Sequence, residues 1–164
     1  MRIRPAAPPD AEAVAAIYNE GIEERTATFE TRHRNAAEMA ARFGGPHHPF
    51  LVAERDGEVL GFASLTPYSE RDVYSGVGEV NLYVAGPARG RAVGTALLER
   101  LVAEAERRGF HKLLGKAFPE NEASRALLRR CGFREVGTHR RHARLDGEWR
   151  DVVVVERLLG QACV

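Results

Sequence analysis

Hydrophobic and polar positions change period several times along the chain, and each change predicts an element. Leu97, Leu98, Leu101, Val102 and Ala105 recur at helical spacing, with Glu99, Arg100, Glu104, Glu106, Arg107 and Arg108 on the other side. They predict a long helix ending near Gly109, a residue that tolerates positive φ. Upstream, Glu79–Val84 is rich in β-formers and predicts a strand, which Gly86 and Pro87 break. Arg2–Arg4 predicts a short strand, and Pro8-Pro9-Asp10 opens a helix with Ala13, Val14, Ile17 and Tyr18 facing inward. The polar stretch Asn19–Thr31, with Ile22 and Phe29 embedded, reads as a surface loop or as a lid over a pocket. Asn35 caps a second helix, with Met39 and Phe43 inward, which stops at Gly44-Gly45-Pro46. Phe50–Glu54 and Val59–Leu65 are strands around an Asp56-Gly57 turn, and Tyr68–Gly78 is a polar connection. Lys112–Phe118 is a strand, and Asn121–Arg130 a helix with Ala126, Leu127 and Cys131 inward. Phe133–Leu145 and Trp149–Leu159 are strands around Asp146-Gly147, with Val152–Val155 buried on both faces.

The resulting order, β-α-α-β-β-β-α-β-α-β-β, predicts an α/β (α+β) sheet with helices packed over it. The chain has 164 residues and no compositional break, so one domain spanning residues 1–164 is expected. A formal charge of +1 with no long basic run gives no reason to expect nucleic acid or an anionic membrane as partner. No apolar run approaches the roughly 18 residues of a membrane span, and the start, MRIRPAAPPD, has no apolar core of a signal peptide. Cys131 and Cys163, the latter in a tail that reads as frayed, do not make a disulfide framework, so a reducing cytoplasm is expected.

The strand–loop–helix Glu79–Arg108 carries the clearest chemistry. The first turn of a helix leaves N–H groups without partners at the positive end of its dipole. Small residues in Arg89-Gly90-Arg91-Ala92-Val93-Gly94-Thr95 let the backbone approach an anion, and two arginines add charge, so a phosphate or pyrophosphate is the expected guest. The plain alternative is a turn with two solvated arginines. The stretch is not a Walker loop, since it has no Gly-Lys-Ser/Thr, and it is not a dinucleotide fingerprint, since the glycine spacing is wrong.

Arg89–Gly94 resembles the Gln/Arg-x-x-Gly-x-Gly/Ala acetyl-CoA loop of the GNAT N-acetyltransferase superfamily, with Ala92 where glycine is usual. If that position needs positive φ, alanine costs about 1 kcal/mol there. Ile17-Tyr18-Asn19 with Thr26–Thr31, Arg71–Tyr74 before Glu79, and Gly147–Val152 narrow the resemblance to phosphinothricin N-acetyltransferases and to relatives acting on methionine sulfoximine or arsinothricin. The C-terminal block HRRHARLDGEWRDVVVVERLLG is most similar to the arsinothricin branch. The resemblance implies a GNAT fold: a central mixed, mostly antiparallel sheet whose splayed central strands hold acetyl-CoA, with flanking helices. It also implies a homodimer.

On that resemblance Glu79 is the general base for the substrate amine, which is mostly an ammonium at neutral pH; otherwise it is an exposed strand-end carboxylate. Arg71 holds the substrate's acidic end through its planar fork, or is a solvated loop charge. Tyr74, Phe29 and Thr28 line the same pocket, with Phe29 equally readable as a core anchor, and Glu30 is read as solvent-facing or structural. Leu82 and Val84 present backbone groups to the pantetheine arm, and Arg89, Gly90, Arg91, Ala92, Val93, Gly94 and Thr95 surround the pyrophosphate. Asn121 and Ser124 touch CoA, and Asn121 also reads as a helix cap.

The general acid is open. The family's usual tyrosine, four residues before Gly132-Phe133, is here Leu128; Tyr83, His142, a water or unaided departure remain. Cys131 reads as packing. His139 and His142, three apart in a strand, should face opposite ways, His47-His48 reads as a surface turn, and no metal is expected. Trp149 is a core or interface anchor. The reading is an acetyl-CoA-dependent N-acetyltransferase for a small glutamate-like amino acid. The alternatives are another amine or a protein N-terminus as acceptor, or a non-catalytic acetyl-CoA sensor.

Overall fold

The computed structural model describes residues 1–163. Its strands form one seven-stranded sheet in the order β1-β2-β3-β4-β5-β7-β6. They are β1 (Arg2–Pro5), β2 (Phe50–Arg55), β3 (Glu58–Pro67), β4 (Val77–Val84), β5 (Lys112–Ala117), β6 (Arg134–Leu145) and β7 (Glu148–Leu158). All neighbours pair antiparallel except β4 and β5, which run parallel. The two hairpins turn at Asp56-Gly57 and Asp146-Gly147, where all four residues have positive φ, so the Asp-Gly pairs supply the tight turns expected of them.

Four helices cover the sheet: α1 (Ala11–Glu23), α2 (Ala36–Ala40), α3 (Val93–Arg107) and α4 (Glu122–Arg130). α3 buries Leu97, Leu98, Leu101, Val102 and Ala105 against Leu51, Ala63, Leu65, Leu113 and Val155 on one face of the sheet. α1 and α2 bury Val14, Ile17, Tyr18, Ile22 and Met39 against Phe50, Val52 and Phe62 on the other. The faces follow from the strand period: on β4, Val80, Leu82 and Val84 pack toward α3, while Tyr83 packs toward α1.

Several boundaries differ from the sequence reading. α1 continues through Asn19 to Glu23, because Ile22 extends its apolar stripe and is fully buried. β4 begins at Val77, two residues before Glu79. Glu104 is buried rather than solvated, its carboxylate held by Arg107 at 2.6 Å and Arg108 at 2.9 Å. On α4 the buried residue is Leu128, with Ala126 and Leu127 half-buried. The chain after Leu159 forms a 3-10 turn, Gly160–Cys163, rather than a frayed tail. Trp149 is 52 % exposed under the Arg144 guanidinium, so it is not a core anchor.

One polar knot fixes the start of α1. Buried Asp10 accepts bonds from both terminal nitrogens of Arg4 (2.7 and 2.9 Å) and from the Ala7 N–H (2.8 Å), while Arg4 Nε reaches Glu54. The Arg4 guanidinium holds the Asp10 carboxyl below its usual range. A carboxyl depressed in the folded state stabilises the fold above its unfolded pKa, about 4, and that contribution fades as pH falls through the folded value. Asp10→Ala is therefore expected to cost about 2–3 kcal/mol in urea unfolding at pH 7, and progressively less below pH 4. An equal cost at pH 7 and pH 2.5 would remove the ion pair as its source.

Candidate active site

β4 and β5 pair only at Val77–Lys112, Gly78–Leu113 and Glu79–Leu114, although β4 runs on to Val84 and β5 to Ala117. The strands part beyond Glu79, as expected of splayed central strands. The Ala85 N–H bonds to the Leu60 carbonyl, which sets the alternation along β4: Glu79, Asn81 and Tyr83 aim their backbone groups at β3, and Val80, Leu82 and Val84 aim theirs into the gap. The Val84 carbonyl is taken by Nε of Arg89 at 3.0 Å.

A cavity of about 440 Å³ lies at this gap. Of the candidates named above, it is lined by Thr28, Phe29, Glu79, Leu82, Tyr83, Asn121 and Ser124. On β4 the side chains of Glu79, Asn81 and Tyr83 share one face, because alternate residues do. Phe29 packs edge-on against Phe118 at 5.0 Å and so is both anchor and wall. Asn121 caps α4 by accepting from the Ser124 N–H, and its amide donates to the Thr26 carbonyl, so it also ties down the Thr26–Glu30 segment. Glu30 lines the cavity but is paired with Arg34 at 3.0 Å.

Tyr83 sits in an aromatic stack, face to face with Phe62 and edge-on to Tyr18. Gly21 makes room for it, since a Cβ there would lie 2.8 Å from its ring. Burial pushes the Tyr83 phenol up to about 12. At neutral pH it is a proton donor by more than four orders of magnitude in population.

Lys116 on β5 was not anticipated. It lies two residues past the last β4–β5 rung and places Nζ 2.6 Å from Oε1 of Glu79. The alternation in Lys112–Phe118 was readable, but the parallel register that sets Leu114 opposite Glu79, and so brings Lys116 on the same face within reach of it, was not. His142 also lines the cavity, its ring stacked 4.7 Å from that of His139. The two do not point to opposite faces as a regular strand requires. β6 is irregular between His139 and Ala143, and Arg141 has φ 48°, its N–H held by Asp151. Among the described residues, no group of three or more His, Cys, Asp or Glu side chains could hold a metal.

Arg71 and Tyr74 lie outside the cavity lining, on the exposed turn Asp72–Tyr74 and its cap, with the guanidinium 5.9 Å over the tyrosine ring. The pyrophosphate-loop candidates lie at the N-terminus of α3, where Ala92 offers no side-chain cap to the first-turn N–H groups. Arg89 turns back to Glu24 at 2.8 Å as well as to Val84, so it does not face an anion at the helix start, whereas Arg91 is exposed. Val93 is buried in the core, and Gly94 is packed so closely that a Cβ would meet Leu127 at 2.7 Å. Gly90 has φ 72° and Ala92 φ 62°, so the residue standing where the loop usually has glycine is in the left-handed region. Ala92→Gly is expected to raise unfolding free energy by roughly 0.5–1 kcal/mol. A loss of stability would show that Ala92 carries no net strain.

A parted parallel strand pair, with a carboxylate and a phenol at the gap and an uncapped helix start beyond it, is the layout of an acyltransferase. The chain matches the model of the acetyltransferase (GNAT) family over residues 14–133, and it belongs to that family. Its relatives include a phosphinothricin N-acetyltransferase of Alcaligenes faecalis, 36% identical, with 92% of this chain and 78% of that protein covered. An L-methionine sulfoximine/L-methionine sulfone acetyltransferase of Pseudomonas paraeruginosa is 31% identical, with 94% and 92% covered. Among solved structures, a phosphinothricin acetyltransferase from Sinorhizobium meliloti in complex with acetyl-CoA superposes with TM-score 0.91 at 31% identity, covering 98% of this chain and 89% of that one. A ribosomal-protein-alanine N-acetyltransferase from Brucella melitensis gives 0.90 at 34%, covering 97% and 100%. The protein is therefore an N-acetyltransferase with the GNAT fold.

Proposed function

We propose that this chain, a single catalytic domain, transfers acetyl from acetyl-CoA to the α-amine of a small glutamate-like amino acid of the phosphinothricin, arsinothricin or methionine sulfoximine type. The observation that carries the reading is the placement of Glu79 and Tyr83 on one face of β4, in one cavity, where β4 and β5 part. The gap-facing backbone of Val80, Leu82 and Val84 suits the amides of a pantetheine arm, as an added strand would. Gly90–Thr95 at the start of α3, with Arg91, suits a pyrophosphate, and Asn121 and Ser124, which line the cavity, suit a contact with CoA.

The chemistry then runs in one displacement. Glu79 takes a proton from the substrate ammonium, directly or through a water. The freed amine attacks the thioester carbonyl, whose oxygen is polarised by the gap-facing N–H of Leu82, a residue lining the same cavity as Glu79. The C–S bond breaks as the C–N bond completes, and Tyr83 gives its proton to the leaving thiolate. The second proton, shed by the new amide nitrogen, restores the Tyr83 phenol through water, so that the one proton left over leaves from Glu79 to solvent. Thr28 and Phe29 wall the acceptor side. Arg71 and Tyr74 take part in acceptor binding if the Tyr68–Gly76 connection folds over the cavity. We further expect a homodimer in the cytoplasm. No helix among the described residues is long and apolar enough to cross a membrane.

The likeness to a ribosomal-protein-alanine N-acetyltransferase favours a second acceptor class, a protein N-terminus. The test is acetyl-CoA-dependent thiol release with phosphinothricin, arsinothricin, methionine sulfoximine, glutamate and an alanine-starting peptide. Fast release with a toxin analogue, and little with glutamate or peptide, supports the proposal. Release with the peptide alone replaces it with the second reading. Tight acetyl-CoA binding without release from any acceptor replaces it with a sensor.

A further inference from the structure

We propose that Lys116 is the receptor for the acceptor's α-carboxylate, held by Glu79 until the acceptor arrives, and that it selects free amino acids over simple amines and peptide N-termini. This rests on the acetyl-transfer reading above and adds a selecting residue to it.

Lys116 Nζ lies 2.6 Å from Glu79 Oε1, on the same sheet face and in the same cavity. Lys116 is the one lysine or arginine among the described residues that lines the cavity. Arg34, next to the cavity through Glu30, is bonded to that carboxylate, and Arg150, over the Phe118 ring, is bonded to Glu120. Among the described residues the partner of Lys116 is Glu79, the one carboxylate that acetyl transfer needs free. The Lys116 side chain is 53% exposed and that of Glu79 24%, so the pair can be opened without unpacking the core.

An ammonium approaching Glu79 displaces Lys116, and the displaced charge then needs an anion. An α-amino acid brings one. Its carboxylate is one carbon from the amine, so one molecule pairs its ammonium with Glu79 and its carboxylate with Lys116. Two charges that were paired with each other end up paired with the acceptor. A simple amine, or a peptide whose first carboxyl is an amide, displaces Lys116 and leaves it with water alone. A charge-assisted hydrogen bond in a partly desolvated site discriminates by roughly ten- to a hundred-fold.

Methionine sulfone and its decarboxylated amine are the probes, with Lys116→Gln and Lys116→Arg as variants. In thiol release, Lys116→Gln is expected to raise the KM for methionine sulfone roughly ten- to a hundred-fold, leave the KM for acetyl-CoA unchanged, and bring the two acceptors' kcat/KM together. Lys116→Arg is expected to restore much of the preference. In calorimetry on CoA-saturated protein, which needs no turnover, wild type should bind methionine sulfone more tightly than the amine, and Lys116→Gln should bind them alike. A wild type without that preference, or a Lys116→Gln variant that keeps it, overturns the proposal. Absence of thiol release from wild type with every acceptor, alongside the calorimetric preference, overturns the acetyl-transfer reading and leaves Lys116 as the carboxylate receptor.

Discussion

Glu79→Gln is expected to lower kcat at pH 7 by roughly a hundred- to ten-thousand-fold, the range of a positioned general base, with the KM for acetyl-CoA nearly unchanged. Glutamine keeps the shape of the side chain and can still accept from Lys116, so the aromatic packing and the β4 edge stay as they are. What it cannot do is take a proton from an ammonium. The free amine is the nucleophile, and raising the pH supplies more of it without help. The deficit should therefore shrink as pH rises toward the amine's own pKa, a trend that simple misplacement of the acceptor would not produce. The gap-facing backbone of Val80, Leu82 and Val84, proposed to take acetyl-CoA, is not touched by the substitution. Steady-state kinetics from pH 6.5 to 9.5 decide the matter: an unchanged kcat removes Glu79 from the chemistry, and a pH-independent deficit assigns it to binding.

The fold was largely legible because its signals are local. The stripe of Leu97, Leu98, Leu101, Val102 and Ala105 could only be a core-facing helix, and it is fully buried. The two Asp-Gly pairs marked both hairpins, which the positive φ values bear out. On α1, Ile22 continued the periodicity, but the polar residues around it masked the last turn. Where legibility failed, the information was not local. Lys116 meets Glu79 through a parallel register with α3 between the strands, and no pattern within either strand encodes that register. His139 and His142 stack because one residue, Arg141, takes a left-handed conformation that breaks the period on which the sequence argument stood. The same limit applies to Arg89: its type and place suited an anion, but it pairs with Glu24, the residue just after α1 and 65 positions earlier in the chain.

Tyr83→Phe is the second large effect expected, a fall in kcat of roughly ten- to a thousand-fold with little change in either KM, as befits a proton supplied only as the C–S bond breaks. Leu128, which stands where the family's tyrosine is usual, lines the cavity with carbon alone, and Tyr83 is the half-buried phenol that lines the same cavity. Phenylalanine keeps the ring stack with Phe62 and Tyr18, so the loss isolates the hydroxyl. Because burial holds this phenol up to about 12, wild-type kcat should show no alkaline limb from Tyr83 below pH 10. The same displacement gives a stability signature. A folded-state pKa raised above the unfolded value near 10 contributes stability below pH 10 and loses it as pH rises toward 12. Wild type should therefore weaken over that window more steeply than Tyr83→Phe in urea unfolding. A kcat within two-fold of wild type, with the stability difference present, would keep Tyr83 as a packing residue and hand the proton to His142 or to water. The double variant Tyr83→Phe, His142→Asn separates these two: a loss that the single variant lacked assigns the proton to His142, and no loss assigns it to water.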